Sequence, residues 1–150
     1  MAHTYTKLLI HALFSTKERL PLLNAERRNE LFPYMRGILE NLGTKQVCIN
    51  GPKDHVPLLF LLPPRLSLAD VMEKLKANSS KWIRQSQPGA RAFSWQAGYA
   101  AFSVSQSNAG GVRQYIARQE EHHHQLTYQE EVLSLLKKHG IDYDPRFVLS

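Results

Sequence analysis

A tyrosine and a glutamine four residues apart could form the chemical centre of this 150-residue chain. Tyr115 and Gln119 lie in a segment without proline, and Asn108 could cap a helix at its start. Residues four apart on a helix project from one face, so the phenol would lie above the carboxamide. The phenol is a candidate nucleophile, and the carboxamide is a candidate ligand or orienting group. The alternative is a half-buried tyrosine beside a solvated glutamine.

Positive charge is concentrated around this pair. The net charge is +6, and residues 74–119 contain no Asp or Glu. Cations alternate there with aromatic rings and neutral hydrogen-bonding side chains. Phosphates attract cations and unpaired bases stack on rings, so this composition favours a nucleic-acid surface over a solvated basic face. The residues predicted to bind DNA are Lys74, Lys76, Asn78, Lys81, Trp82, Arg84, Arg113 and Arg118.

Length and composition predict one domain spanning residues 1–150. Cys48 is the single cysteine, which excludes an internal disulfide and argues against a cysteine metal site. The first residues lack a signal-peptide pattern, and no stretch has membrane-spanning length. We therefore expect an intracellular, cytoplasmic protein without a membrane partner.

Alternating and helical hydrophobic patterns predict the elements that must position Tyr115. Strands are expected at 4–14, 44–50 and 54–62, strand pieces at 92–95 and 99–105, and helices at 25–42, 67–85, around Tyr115 and from Thr127. The first six elements follow a split β-α-β, ferredoxin-like order. The predicted fold is α+β, with an antiparallel sheet, helices packed on one face and a C-terminal tyrosine helix.

Histidines are the other candidate ligands. His11 falls on a sheet surface, where a packed and hydrogen-bonded histidine is the favoured interpretation. Three consecutive histidines at 122–124 cannot all face one ion from a helix or strand, so they are interpreted as a solvated hinge.

Together these motifs resemble the single-tyrosine transposases of bacterial insertion sequences and their repeat-associated relatives. That family belongs to the HUH endonucleases, which carry a histidine–hydrophobe–histidine strand motif. The resemblance spans nearly the whole chain. It rests on residues 14–17 (FSTK), 54–56 (DHV), 66–70 (LSLAD), 76–82 (KANSSKW), 95–99 (WQAGY) and 102–105 (FSVS), with Tyr115 and Gln119.

The resemblance implies a specific chemistry. The strand histidines and the glutamine one turn after the tyrosine hold a divalent metal, Mg²⁺ or Mn²⁺, and the tyrosine attacks a phosphodiester of single-stranded DNA. On this chain Tyr115 would be the nucleophile, with His55 and Gln119 as metal ligands. The implied partners are single-stranded or hairpin DNA and a second copy, because family dimers can complete one site with the other subunit's tyrosine helix.

The sequence departs from the family at the second histidine, where residue 57 is proline. Proline supplies no ligand atom and no strand donor. His55 and Gln119 are both neutral, whereas hard cations prefer carboxylate oxygen. Strand alternation is expected to direct Asp54 away from His55. The proline therefore predicts weak or absent metal binding.

Three functions remain open from the sequence. The first is a transposase that cleaves and rejoins single strands through a 5′-phosphotyrosine. The second is a descendant that binds DNA with impaired or lost cleavage. The third is a ferredoxin-like RNA-binding or regulatory module, although the chain lacks an RNP-type aromatic signature.

Overall fold

A computed structural model describes residues 2–119 and 126–146. Its strands are β1 (Leu8–Ser15), β2 (Lys45–Ile49), β3 (His55–Leu62) and β4 (Ala100–Val104). Its α-helices are α1 (Ala25–Asn41), α2 (Leu68–Ser86), α3 (Ala109–Ala117) and α4 (Tyr128–Lys138). The predicted histidine hinge at 122–124 lies outside the described residues.

Polar side chains fix the starts of three helices. Asn24 accepts a hydrogen bond from the backbone of Arg27, and Ser67 does the same for Asp70. Thr127 and Glu130 form a reciprocal capping box at the start of α4. Each contact satisfies a backbone N–H that has no partner inside the helix, which is why these residues set the helix starts.

The four strands form one antiparallel sheet in the order β2-β3-β1-β4. This is the predicted ferredoxin-like arrangement, and the α+β fold is confirmed. Strands β1 and β3 occupy the centre, where Ser15 lies opposite His55 and His11 lies opposite Leu59. Side chains of paired residues share a face, so both histidines belong to the same side of the sheet.

Helices cover both faces of the sheet, so the prediction that the helices pack on one face is wrong. On one face, α1 and α2 pack on the main core, which includes Phe14, Val56, Leu58, Phe60, Leu31, Met35 and Leu75. On the other face, α3 packs through Ile116 against Leu9 and Leu59. Beside α3, α4 packs through Tyr128, Val132 and Leu136 against Leu13 and Phe102. Neighbouring residues of one strand therefore pack into cores on opposite faces of the sheet, because strand side chains alternate between the two faces.

Three local predictions need correction. The stretch 92–95 is not a strand, because Trp95 forms only an isolated bridge with Thr16 and its ring packs edge-on against Phe14. Strand β1 begins at Leu8 rather than at residue 4. Helix α3 ends at Ala117, so Gln119 lies in the following turn, where its N–H donates to the carbonyl of Ile116.

Candidate active site

Tyr115 lies on α3, and two contacts hold this helix on the sheet. Ile116 is fully buried, and the side-chain amide of Asn50 donates to the carbonyls of Ile116 and Ala117 at 3.1 and 3.0 Å. These last carbonyls of a helix lack intrahelical partners, so Asn50 acts as a cap from the end of β2. Tyr115 itself is 41% exposed.

The Tyr115 hydroxyl lies close enough to the side chains of Gln119 and of Glu131 of α4 for both to shift its pKa. Tyr115 and Gln119 are therefore neighbours in the structure, although the helix ends before Gln119. Burial foremost, and then the charge of Glu131, raise the pKa of Tyr115 to about 12, against a lowering by Gln119. The phenol is consequently neutral at physiological pH.

His55 begins β3 and is almost fully buried between two carboxylates. Its Nδ1 lies 2.7 Å from Oδ1 of Asp54, and its Nε2 lies 3.0 Å from Oε2 of Glu131. Burial by itself would lower the pKa of His55, but the hydrogen bonds and charges of Asp54 and Glu131 outweigh it and raise that pKa to about 9. At neutral pH the ring is an imidazolium donating to both carboxylates.

The expected direction of Asp54 was wrong. Asp54 lies in the bend just before β3, where strand alternation does not yet apply, and its carboxylate turns back to its neighbour His55. In metal sites, a carboxylate often fixes the orientation of a ligating imidazole through a hydrogen bond of this kind.

Glu131 is the central residue that sequence reasoning missed. It is 2% exposed, its Oε2 is hydrogen-bonded to His55, and its charge raises the pKa of Tyr115. Glu131 therefore connects these two predicted site residues. The available signal was its position: Glu131 falls three residues after Tyr128 and four before Leu135, within the apolar stripe of α4. A carboxylate on a buried face requires partners.

A second layer supports His55 from α4 and from the loop before β4. The Tyr128 ring lies against the imidazole with centroids 5.2 Å apart. Its hydroxyl donates to Oε1 of Gln96, which also accepts the backbone N–H of Ser15 at 2.7 Å. The motif residue Gln96 therefore links the loop to the strand position opposite His55.

Pro57 occupies the strand position two residues after His55 and is buried opposite Leu13. Its carbonyl accepts the N–H of Asn50 at 3.4 Å. In an antiparallel ladder the N–H and C=O of a residue point toward the same neighbour, so the missing donor of Pro57 faces the place where β2 ends. Strand β3 therefore tolerates the proline although it lies inside the sheet.

His11 lies on the neighbouring strand and is buried, as predicted, but its Nε2 has no hydrogen-bond partner among the described residues. Burial lowers the pKa of His11 more than the charge of Glu131 raises it, so the ring is neutral. A cavity of about 450 Å³ opens over His11, Tyr115 and Glu131. Its remaining walls come from Ser107, Asn108, Gly111, Val112, Leu126, Ser134, Leu135 and Lys138.

Within residues 2–119 and 126–146, no three His, Cys, Asp or Glu side chains are grouped to hold a metal. The candidate donors near Tyr115 are instead the Gln119 amide and Glu131, with the His55 imidazole beside Glu131. Oε1 of Glu131 is buried and has no hydrogen-bond partner among the described residues. An unpartnered carboxylate oxygen near an imidazole and an amide suits Mg²⁺ or Mn²⁺. Cation binding at the His55 ring would release its proton.

The predicted DNA-binding residues are divided between the two faces of the sheet. All six predicted on α2 lie wholly or partly exposed, and Trp82 stacks on Tyr34 with centroids 4.7 Å apart. Lys76 donates to the carbonyls of Gln96 and Gly98, and Arg84 donates to that of Phe93. Beside Tyr115, Arg118 is exposed and Arg113 donates to Gln46 at 3.2 Å. The structure does not gather these cations into one patch.

Comparison with known proteins identifies the family of this chain. The family model described as IS200-like transposase matches residues 4–119. The chain belongs to this family. Among curated members of the IS200-like transposases, the transposases for insertion sequence element IS200 of Salmonella typhimurium LT2 and Salmonella typhi are each 27% identical to it over 127 residues. Each alignment covers 81% of this chain and 82% of the relative.

Solved structures agree with the family. A candidate transposase of Deinococcus radiodurans R1 aligns with a TM-score of 0.63 and 26% identity, covering 79% of this chain and 96% of that one. A REP-associated tyrosine transposase bound to a REP hairpin aligns with a TM-score of 0.57 and 13% identity, covering 84% and 74%. The latter likeness concerns the fold. No helix among the described residues is long and apolar enough to span a bilayer.

Proposed function

We propose that this IS200-like transposase binds single-stranded or hairpin DNA and cleaves and rejoins one strand by transesterification at Tyr115. The phenol oxygen forms a bond to phosphorus, the bond from phosphorus to the 3′ oxygen breaks, and a free 3′-hydroxyl leaves. The strand remains attached through a 5′-phosphotyrosine. Attack of a 3′-hydroxyl on that linkage reverses the bond changes and rejoins DNA, so no external energy source is needed.

The arrangement that supports this proposal is the row of neighbouring side chains Gln119, Tyr115, Glu131 and His55 at the edge of the cavity, in which Glu131 is hydrogen-bonded to His55. It places a half-exposed phenol where DNA can reach it and connects it to the buried imidazole. The raised pKa of Tyr115 means that its proton must leave as the new bond forms. Glu131 is the carboxylate whose charge acts on the Tyr115 phenol, and we infer that it receives the proton.

His55 and Gln119 are proposed to hold a divalent cation at this site. When bound, Mg²⁺ or Mn²⁺ neutralises the phosphodiester and favours in-line displacement. The protein's own contribution is orientation: Asp54 and Tyr128 fix the His55 ring, and Asn50 fixes the end of α3.

Hairpin DNA is the proposed substrate class for two reasons. The fold neighbour that is bound to a REP hairpin shows that this architecture can carry one. The chain is also basic, and exposed Lys74, Lys81 and Arg118 offer phosphate contacts on α2 and after α3. A homodimer belongs to the same proposal through the family resemblance.

The test is covalent capture. The purified protein is incubated with single-stranded hairpin DNA and Mn²⁺, and adducts are separated in denaturing gels and mapped by mass spectrometry. We expect a DNA-linked peptide containing Tyr115 and no adduct with Tyr115→Phe. Tyr99→Phe is the matched control, because Tyr99 is similarly exposed at 39% but lies before β4. An adduct on another residue, or one retained by Tyr115→Phe, would contradict the assignment.

A DNA-binding descendant without cleavage is the second candidate, and Pro57 is the observation that favours it. The residue is buried in β3 on the same face as His55 and offers no ligand atom. Specific hairpin binding together with no adduct over many hours would select this candidate. The RNA-binding module has no comparable support, since the family match is to transposases.

A further inference from the structure

We propose that Glu131 of α4 is an anionic ligand of the divalent cation and supplies the donor that Pro57 cannot. This deepens the proposed function, on which it rests, by adding a third ligand to His55 and Gln119. The family match ends at residue 119, so Glu131 lies beyond the matched segment. Neither the strand motif nor the tyrosine–glutamine spacing points to it.

The distance between the two side chains suits coordination of one ion. Oε2 of Glu131 lies 3.0 Å from Nε2 of His55. Adjacent donors of an octahedral Mg²⁺, with bonds of about 2.1 Å, are separated by about 3.0 Å. The imidazole and the carboxylate therefore need little rearrangement to become neighbouring ligands once the shared proton has left.

The second oxygen of Glu131 has no described partner. Oε1 is buried and makes no hydrogen bond to the described residues, and the whole residue is 2% exposed. A buried carboxylate oxygen without a partner is costly, and native proteins rarely leave one so. The nearby cavity, lined by Glu131 itself, gives a cation a route to this carboxylate.

Charge also favours Glu131. His55 and Gln119, the ligands that the family resemblance implies, bind a metal as neutral groups. Mg²⁺ and Mn²⁺ prefer hard, anionic oxygen. Glu131 provides that charge, and its charge also raises the pKa of the Tyr115 hydroxyl. One side chain would then hold the cation beside the nucleophile. The competing explanation is that Glu131 only fixes His55 and Tyr115 in place.

Mn²⁺ binding in the absence of DNA separates these explanations. Free Mn²⁺ is measured by electron paramagnetic resonance during titration of the full chain, and variant folding is checked by circular dichroism. Glu131→Gln keeps the size of the side chain and removes its charge, so we expect at least about tenfold weaker binding. Glu73→Gln is the matched control, since it removes the same charge from an exposed site on α2, and should bind as the natural protein does.

Two outcomes overturn the proposal: no saturable Mn²⁺ binding by the natural protein, or equal affinities for the natural protein and a folded Glu131→Gln. If that variant does not fold, paramagnetic broadening in the ¹⁵N-labelled natural protein decides. We expect Mn²⁺ to broaden the amide signals of residues 55 and 131 first, and broadening centred elsewhere refutes the site. Because neither measurement contains DNA, absence of Tyr115 adducts would count against the proposed function and not against this ligand.

Discussion

Gly110 gives a way to change the stability of the tyrosine helix alone. It is the second residue of α3, it has no left-handed backbone angle, and a Cβ added there would meet no atom within 4 Å. Glycine in a helix is about 0.5–1 kcal/mol less favourable than alanine because it loses more backbone freedom. Gly110→Ala should therefore stabilise α3 against local opening by about that amount.

Hydrogen exchange measures this directly. Since about 1.4 kcal/mol corresponds to a factor of ten, α3 amides should exchange about two- to fivefold more slowly in Gly110→Ala. The control is Gly37→Ala in α1, where an added Cβ also meets no atom within 4 Å. That variant should slow exchange in α1 and leave α3 unchanged. Equal α3 exchange in Gly110→Ala and the natural protein would refute the reasoning that helix propensity limits α3 opening.

The remaining predictions concern the strand, the basic helix and the layer behind His55. Pro57→His should gain Mn²⁺-dependent adduct formation that further substitution of Tyr115→Phe abolishes; adduct formation as fast in the natural protein would show that another group already suffices. Lys74→Ala with Lys81→Ala should reduce the slope of log affinity against log salt by about 1.4 for single-stranded DNA, since each phosphate contact contributes about 0.7; an unchanged slope removes this face of α2 from the interface. Tyr128→Phe should lower the free energy of unfolding by about 0.5–1.5 kcal/mol in urea titrations through loss of one buried hydrogen bond; an unchanged midpoint would show that the bond contributes nothing net.

Periodicity predicted the sheet and the capped helices because their information is local. The alternation of apolar residues in β1 and β3 determines which side each strand residue faces, and Asn24, Ser67 and Thr127 set the helix starts. The structure of the stretch before β4 could not be predicted from local patterns. Trp95 and Gln96 bond to Thr16 and Ser15, which are far away in the sequence.

Within the candidate site, residue types and spacing indicated Tyr115 and Gln119, and the family resemblance indicated His55. It could not indicate that Glu131 reaches His55 across 76 positions of the chain, because that contact depends on how α4 packs on the sheet. The cations of α2 also make contacts that composition did not indicate. Lys76 and Arg84 resemble phosphate ligands in composition, yet both hold backbone carbonyls of the loop before β4.

The contact between α4 and β3 bears on how this protein can be shortened. A chain ended at residue 119, where the family match stops, would keep Tyr115 and its neighbouring glutamine. It would also expose the apolar surface of Leu13 and Phe102 that α4 covers, and leave His55 without the Glu131 carboxylate. Loss of the last 30 or so residues should therefore damage the surroundings of Tyr115 and His55, even though every residue of the family motifs survives.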